Sequence, residues 1–170
     1  VWGHSRHGKS ALLAAALDPR FEAVISHQSG RGGAALNRSL RGERIGQITE
    51  TYPYWFNARY RAWAGREDQM PIDQHQLIAL IAPRPVLIGA GARDAWADPQ
   101  GSFAALKGAS PIWRLYGERG LVQTDLETPD NSGRLVMFMR QGRHGIHASD
   151  WRRFLDFLDA QWGVSRAPAG

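Results

Sequence analysis

The stretch "GHSRHGKS", residues 3–10, fits two sequence motifs that imply unrelated chemistries. As G-x-x-x-x-G-K-[ST] it is a complete P-loop, in which backbone amides and a lysine hold the phosphates of a nucleotide. Around its middle serine it looks like a nucleophile elbow, which presents the hydroxyl of Ser5 on a sharp turn between a strand and a helix. Both motifs need a strand before the turn and a helix after it, so the choice depends on the residues that follow.

Those residues predict alternating strands and helices. "VWG" is typical of a strand end, "KSALLAAALD" of a helix that begins near Gly8, and "FEAVISHQ" of a buried strand. A Gly/Arg-rich loop and an aromatic stretch with some helical turns come next. They are followed by a helix in "DQHQLIALIA" and by the clearest strand of the sequence, "PVLIGAGARD".

The second half of the chain continues the pattern. "DPQGSFAALKGA" predicts a helix, "PIWRLYG" a strand-like segment, "RLVMFMR" a buried strand, and "SDWRRFLDFLDAQWG" an amphipathic helix with a serine cap and a glycine end. This alternation predicts an α/β fold with a mostly parallel sheet. We expect residues 1–163 to belong to one domain and residues 164–170 to form a flexible tail.

Composition excludes several classes of protein. Apolar residues make up 43% of the 170 residues and charged residues 22%, which is typical of a globular domain. The net charge of +5 is spread along the chain, which favours an ordinary basic surface over a nucleic-acid-binding face. No apolar run is long enough to span a membrane, and no signal peptide is recognisable. The absence of cysteine excludes disulfides and thiolate metal sites, whereas the seven tryptophans suit either a carbohydrate ligand or core packing.

Acidic residues distinguish the two motifs. A P-loop enzyme holds Mg²⁺ with an acid directly after an apolar strand, but the strands here end in "VISHQ", "VLIGAG" and "LVMFMR". A nucleophile elbow instead predicts an acid after a later strand and then a histidine nearer the C-terminus. Asp94 follows "PVLIGAGAR", and His144 follows "RLVMFMR" in "QGRHG". The order Ser5, Asp94, His144 therefore favours a hydrolase.

Each of these residue types is needed for acyl transfer. Serine is a weak nucleophile until an imidazole takes its proton, and a carboxylate fixes the tautomer of that imidazole and stabilises its charged form. Simpler roles remain open for the same residues. Ser5 could cap a helix, and Asp94 could be a loop acid beside Asp98, which is placed to cap the next helix. His147 competes with His144, although it lies nearer the start of the last helix.

The motif "GHSRHGK" resembles the G-x-S-R-x-G-K motif of glucuronoyl esterases, carbohydrate esterase family 15. The resemblance continues through "SGRGGAAL", "RGERIG", "YPYWF", "PIDQHQLIALIAPRPV", "DAWADP" and "GRHG…DWRRFLDF", which covers nearly the whole chain. It implies an α/β-hydrolase that cleaves the ester between (4-O-methyl)glucuronic acid on xylan and a lignin alcohol, without a cofactor or metal. It also implies export to the periplasm or outside the cell, and a monomeric full-length protein.

The resemblance implies roles for further residues. Arg6 would supply its backbone N–H, and by analogy its guanidinium, to the oxyanion of the tetrahedral intermediate. Lys9 would bind sugar hydroxyls instead of a phosphate. Glu43 in "RGERIG" and Trp96 in "DAWADP" match positions that contact the uronate ring, although an exposed loop glutamate and a packed indole are the simpler interpretations.

The sequence also departs from the family pattern. Some members carry the triad acid directly after the strand that follows the elbow helix, where this chain has Gln28, so Asp94 is the better acid. The cysteines of fungal members are missing, which favours the bacterial branch. Full-length members have a further N-terminal half, so we expect this chain to be the C-terminal part of the catalytic domain, starting at the elbow. Three alternative functions remain: an acetyl xylan or general carboxylesterase, a P-loop module, and a non-catalytic fragment that keeps the sugar contacts without turnover.

Overall fold

A computed structural model describes residues 1–165 as an α/β unit of four strands and six helices. The last five residues of the expected tail, 166–170, lie outside the described residues. In chain order the elements are β1 (Trp2–His4), α1 (Arg6–Leu17), β2 (Val24–His27), α2 (Ile45–Thr51), α3 (Ala58–Arg61), α4 (Gln74–Ala79), β3 (Val86–Gly91), α5 (Pro99–Leu115), β4 (Leu135–Arg140) and α6 (Ala148–Trp162).

The predicted parallel sheet is confirmed. Its strands lie in the order β1-β2-β3-β4, and each neighbouring pair is parallel. All residues of β2 and β3 are buried, as expected for strands that are apolar throughout and covered on both faces. Because the strands are parallel, the loops that follow them leave the sheet at the same edge, and polar residues from those loops can meet there.

Alternate residues of the strands pack on opposite faces of the sheet, because side chains in a strand point alternately up and down. Val24, Val86 and Leu135 are aligned across three strands and pack on the face covered by α1, α4 and α5. Their neighbours Ile25, Leu87 and Val136 pack on the other face, against Phe154 and Phe157 of α6. The sheet is thus sandwiched between two helical layers.

The segment "PIWRLYG", expected to be strand-like, is instead the end of α5, which runs to Leu115. Its apolar stripe continues at helical spacing from Leu106 through Ala109 to the fully buried Trp113, whose indole N–H donates to the carbonyl of Arg84 at 3.2 Å. Pro111 lies inside the helix but faces solvent. The free energy gained by burying this apolar stripe therefore outweighs the loss of the helical hydrogen bond that Pro111 cannot donate.

Two helix starts also differ from the prediction. Helix α1 begins at Arg6, two residues before the expected Gly8, because the turn at Ser5 leads directly into it. The N-cap of α6 is His147 rather than a serine; its backbone N–H donates to the carboxylate of Asp150 at 2.8 Å. The predicted glycine end is confirmed at Gly163, which has a φ of 65°. Within the described residues, no helix combines the length and the apolar character that crossing a bilayer requires.

Candidate active site

Ser5 lies on a sharp turn between β1 and α1, with φ 57° and ψ −125°. Its backbone N–H donates to the carbonyl of His27 on the neighbouring strand at 2.8 Å. The turn is tight enough that a Cβ on Gly3 would lie 2.1 Å from the carbonyl oxygen of His7. Only glycine fits there, so the first glycine of the motif is explained by the elbow geometry.

Asp94 and His144 form a close pair beside this turn. Asp94 follows β3 and is 5% exposed, and its Oδ2 lies 2.7 Å from Nδ1 of His144. A carboxylate at Nδ1 keeps the proton on that nitrogen and leaves Nε2 unprotonated and able to accept a proton. The structure brings His144, not His147, to Asp94, since His147 caps α6 at an exposed position.

A cavity of about 450 Å³ brings most of the predicted site residues together. Six of the seven predicted site residues line it: Ser5, Lys9, Glu43, Asp94, Trp96 and His144. The remaining lining comes largely from the loop after β2 and from the end of α2, including Gln28, Ser29, Gly30, Thr51, Tyr52 and Trp55. The three candidate catalytic residues, Ser5, Asp94 and His144, therefore line one cavity although the first and the last are nearly 140 positions apart in the sequence.

Lys9 extends from α1 towards the loop after β2. Its Nζ donates to the carbonyls of Ser29 and Arg31, the latter at 2.7 Å. Burial lowers the pKa of this amine to about 8, although the nearby carboxylate of Glu43 acts in the opposite direction. Two of its three possible donors are thus committed to loop carbonyls, and one is left for a ligand in the cavity.

Glu43 and Trp96 are joined through the backbone. The N–H of Glu43 donates to the carbonyl of Trp96 at 3.1 Å, which links the two loops that carry these side chains. Burial raises the pKa of Glu43, an effect that Lys9 partly offsets. Trp96 is 59% exposed and is therefore not a packed core indole.

Arg31 fixes the loop that ends at Glu43, a role that the sequence did not reveal. The residue is 1% exposed, and its guanidinium donates to the backbone carbonyls of Leu36, Ser39, Arg41 and Glu43. Four carbonyls satisfy the buried cation, and none of the carboxylates in residues 1–165 contacts it directly. In the sequence, only the motif "SGRGG" indicates that Arg31 has a structural role.

Arg6 is the one predicted residue whose side chain lies elsewhere. Its guanidinium packs over the ring of Trp55, 5.8 Å from the centroid, and lines a neighbouring cavity of about 490 Å³. The two cavities share Lys9 and Trp55. Arg6 is the first residue of α1, so its backbone N–H belongs to the helix-end donors that have no partner within the helix.

Two histidines beneath the site, the buried His27 and the half-buried His4, were also missed. His4 and His27 end β1 and β2, and their Nδ1 atoms lie 3.1 Å apart. The ring of His4 packs against that of His144 at a centroid distance of 4.7 Å. Burial lowers the pKa of both residues, that of His27 to about 4. Their position could have been recognised from the sequence, because each is a polar residue at the carboxyl end of an apolar parallel strand.

Most of this chain is similar in sequence to known carbohydrate esterases. A family model described as "Glucuronyl esterase, fungi" matches residues 1–117. A carbohydrate esterase from an unknown prokaryotic organism is 44% identical over 94% of this chain and 37% of that relative. A 4-O-methyl-glucuronoyl methylesterase of Phanerochaete carnosa is 32% identical over 85% of this chain and 34% of the relative.

Solved structures give the same result. A promiscuous esterase of carbohydrate esterase family 15, from a marine bacterial metagenome, superposes with a TM-score of 0.90 and 43% identity, covering 94% of this chain and 41% of that one. The glucuronoyl esterase of Teredinibacter turnerae T7901 superposes with a TM-score of 0.88 and 38% identity, covering 95% and 40%. This chain thus spans less than half the length of each of these relatives. It has the α/β-hydrolase fold and belongs to the glucuronoyl esterase family, carbohydrate esterase family 15.

Proposed function

We propose that the protein is a serine esterase that cleaves glucuronoyl esters, of the kind that join (4-O-methyl)glucuronate on xylan to lignin alcohols. The observation that carries the proposal is the 2.7 Å contact between Asp94 and His144, in the same cavity as a serine on a nucleophile elbow. The similarity to a fungal 4-O-methyl-glucuronoyl methylesterase and to a bacterial glucuronoyl esterase supports the substrate class.

In the acylation half-reaction, Ser5 Oγ attacks the uronoyl carbonyl while Nε2 of His144 takes the serine proton. The oxyanion that develops is stabilised by the backbone N–H of Arg6, a fixed donor at the start of α1. Asp94 stabilises the imidazolium through Nδ1. The C–O bond to the alcohol then breaks, and His144 gives its proton to the leaving oxygen.

In the deacylation half-reaction, water replaces the alcohol. His144 takes a proton from water, the resulting hydroxide adds to the acyl carbonyl, and the bond to Ser5 Oγ breaks with return of the proton to the serine. The products are a free glucuronate and the starting enzyme. One imidazole thus takes up and returns the proton in both half-reactions.

Lys9, Glu43 and Trp96 are proposed to bind the uronate ring. Lys9 offers one remaining donor and Glu43 a carboxylate acceptor on the same side of the cavity. The exposed indole of Trp96 supplies an apolar wall and an N–H donor. Hydroxyl groups of a sugar need both donors and acceptors, and the three side chains offer both.

The wider biological role follows from the substrate. An esterase for the bond between xylan and lignin would act outside the cytoplasm, in the periplasm or after secretion, during lignocellulose breakdown. Its partner would be a carbohydrate ester, not a nucleic acid or a membrane. Residues 1–163 would form part of one catalytic domain, which agrees with a sheet covered by helices on both faces, and the full-length protein would be a monomer.

The decisive test is hydrolysis of benzyl glucuronate by the full-length protein and two variants. Ser5→Ala should lose essentially all turnover, and Asp94→Asn should lower kcat by about 10³–10⁴-fold, because the tautomer and the charge of His144 are no longer stabilised. Ser10→Ala on an exposed position of α1 and Asp156→Asn on the exposed face of α6 are matched controls and should keep wild-type rates.

Two results would contradict the proposal. Wild-type turnover in Ser5→Ala would refute the serine mechanism, and wild-type turnover in Asp94→Asn would refute the acid. Simple acetyl esters, assayed in parallel, test the substrate class. If these were hydrolysed with a higher kcat/KM than the uronate ester, the protein would be an acetyl or general carboxylesterase. Micromolar binding of MgATP that disappears in Lys9→Ala would favour the P-loop alternative.

A further inference from the structure

Gln28 makes hydrogen bonds on both sides of His144. It follows β2 directly and is 3% exposed, and its φ of 49° lies in a region that side-chain-bearing residues rarely adopt. Its Oε1 accepts the backbone N–H of Gly145 at 2.8 Å, and its Nε2 donates to the carbonyl of Arg143 at 3.3 Å. One side chain therefore binds the residues immediately before and after His144.

The segment that carries His144, residues 141–146, needs such support. It contains two glycines with positive φ, Gly142 at 127° and Gly145 at 152°, so its backbone has wide conformational freedom. Arg140 supports the same segment, since its Nη2 donates to the carbonyls of Arg143 and Gly145 at 2.9 and 2.7 Å. Gln28 adds two hydrogen bonds that join this segment to the residue directly after β2, and the backbone N–H of Arg93 joins it to the segment after β3 by donating to the carbonyl of Gly142 at 2.9 Å.

The surroundings are shaped for this side chain. A Cβ on Gly91, at the end of β3, would lie 2.5 Å from Nε2 of Gln28 and 2.9 Å from the carbonyl oxygen of Gly142. The backbone N–H of Gln28 donates to the carbonyl of Gly89 at 2.7 Å, which fixes the start of its side chain on the sheet. An amide is also the group that fits best, because one end must accept a hydrogen bond and the other must donate one.

We propose that Gln28 is a positioning residue that holds the backbone of His144 so that its imidazole reaches Ser5 and Asp94 together. The inference rests on the proposed esterase function for its kinetic test. Asp94 fixes one ring nitrogen, but a single hydrogen bond leaves the ring free to swing with its loop. Gln28 restricts that freedom together with Arg140, and a misplacement of about 1 Å is enough to cost about 100-fold in rate.

The test compares Gln28→Ala with Gln123→Ala in the full-length protein. Gln123 is a matched control because it is also buried, its Oε1 accepts the N–H of Met137 at 2.7 Å, and its Nε2 donates to the carbonyl of Asp125 at 2.8 Å. Gln28→Ala should lower kcat by about 10- to 100-fold with KM changed less than about twofold. Gln123→Ala should lose stability but keep its kcat.

Gln28→Met keeps the length of the side chain but removes both hydrogen bonds, and it places no carboxylate at the position where some family members carry the triad acid. Its kcat should fall as in Gln28→Ala, and it decides the matter if the alanine variant does not fold. The proposal is overturned if Gln28→Ala or Gln28→Met keeps the kcat of Gln123→Ala.

Two measurements are independent of ester turnover. Amide exchange at Gly145 should accelerate in Gln28→Ala and not in Gln123→Ala, and labelling of Ser5 by a fluorophosphonate should slow in parallel with kcat. If wild-type protein neither hydrolysed the ester nor reacted with the fluorophosphonate, the esterase function would fail. Amide exchange at Gly145 would then still test the hydrogen bond between Gly145 and Gln28. Equal exchange rates in wild type and Gln28→Ala would refute that hydrogen bond.

Discussion

Lys9 combines a buried amine with a place in the cavity that we propose to bind the uronate, so binding of this substrate should be sensitive to alkali. Because burial lowers its pKa to about 8, the amine is charged below pH 8 and neutral above it. A neutral amine is a weaker donor to a sugar hydroxyl. We expect KM for the uronate ester to rise, by up to about tenfold, between pH 7 and 9.5, with a smaller change in kcat.

Lys9→Met is the control for this expectation. It should have a high KM at every pH, with no further rise above pH 8. Steady-state kinetics corrected for spontaneous ester hydrolysis measure both. A wild-type KM that stays constant from pH 7 to 9.5 would mean that Lys9 does not contact the sugar as a cation.

His27 should make the fold sensitive to acid. Its pKa is lowered to about 4 by burial, whereas in the unfolded chain it protonates near 6.5. The unfolded state therefore binds more protons between these values, so stability is fully present above pH 6.5 and falls as the pH drops towards 4, by up to about 3 kcal/mol. The neighbouring His4, whose pKa is also lowered by burial, contributes with the same sign.

His27→Phe tests this, because the ring already stacks on Phe138 at 5.8 Å and packs edge-on against Phe154. Urea unfolding at a series of pH values should show a smaller decrease in stability between pH 6.5 and 4 than in wild type. His4 and the carboxylates whose pKa values are lowered in the fold, such as Glu67, contribute to the slope that remains. An unchanged slope would assign the acid sensitivity to other groups.

At the residue level, chain order and strand ends were enough to predict the catalytic candidates. Asp94 and His144 each follow a strongly apolar strand, and parallel strands bring such positions to one edge. Gln28 and Arg31 could not be assigned a structural role this way. Gln28 makes hydrogen bonds to Arg143 and Gly145, which lie 115 and 117 positions further along the chain. Arg31 binds backbone carbonyls, and every residue type has a carbonyl, so the sequence does not show which residues are its partners.

At the element level, Trp113 is the residue that holds the end of α5 on the sheet. It is fully buried, and Trp113→Ala should destabilise the protein by about 3–5 kcal/mol through the cavity it leaves. Leu115→Ala, two residues later and 79% exposed, is the matched control and should change stability by less than about 0.5 kcal/mol. Urea unfolding measures both, and equal effects would mean that the end of α5 is not docked.

The same helix shows where local patterns mislead. "PIWRLYG" contains a proline and β-favouring residues, so its local preference is for a strand. Tertiary burial of Trp113 overrides it, and Pro111 can stay in the helix because it faces solvent. The strands themselves were predicted well, because long apolar runs between glycine and proline leave few alternatives.

At the scale of the whole molecule, ligand binding needs loops from distant parts of the chain to stay together. The cavity is lined by α1, by the loop after β2 and by the segments after β3 and β4. A uronate ester added to a Ser5→Ala variant, which cannot turn it over, should therefore raise Tm. At 100 times Kd the expected gain is about 2.7 kcal/mol, or a few degrees.

Trp96→Ala in the Ser5→Ala background should reduce this shift, because the indole is a wall of the cavity. Trp162→Ala is the matched control: its indole is similarly exposed, at 52% against 59%, but lies at the end of α6. Differential scanning fluorimetry of the full-length protein measures both variants. An equal shift in both would remove Trp96 from the proposed ring contacts.

The placement of Lys9 has a practical consequence for following occupancy of the cavity. The chain contains only two lysines, Lys9 and Lys107. At pH 8 about half of the Lys9 amines are neutral and hence nucleophilic, although two backbone carbonyls hold them at the cavity wall. Competitive acylation followed by mass spectrometry could thus compare Lys9 with Lys107 in the same molecule. The ratio of acylated Lys9 to acylated Lys107 would fall when a sugar covers the Lys9 amine, so occupancy could be followed without attaching a fluorophore.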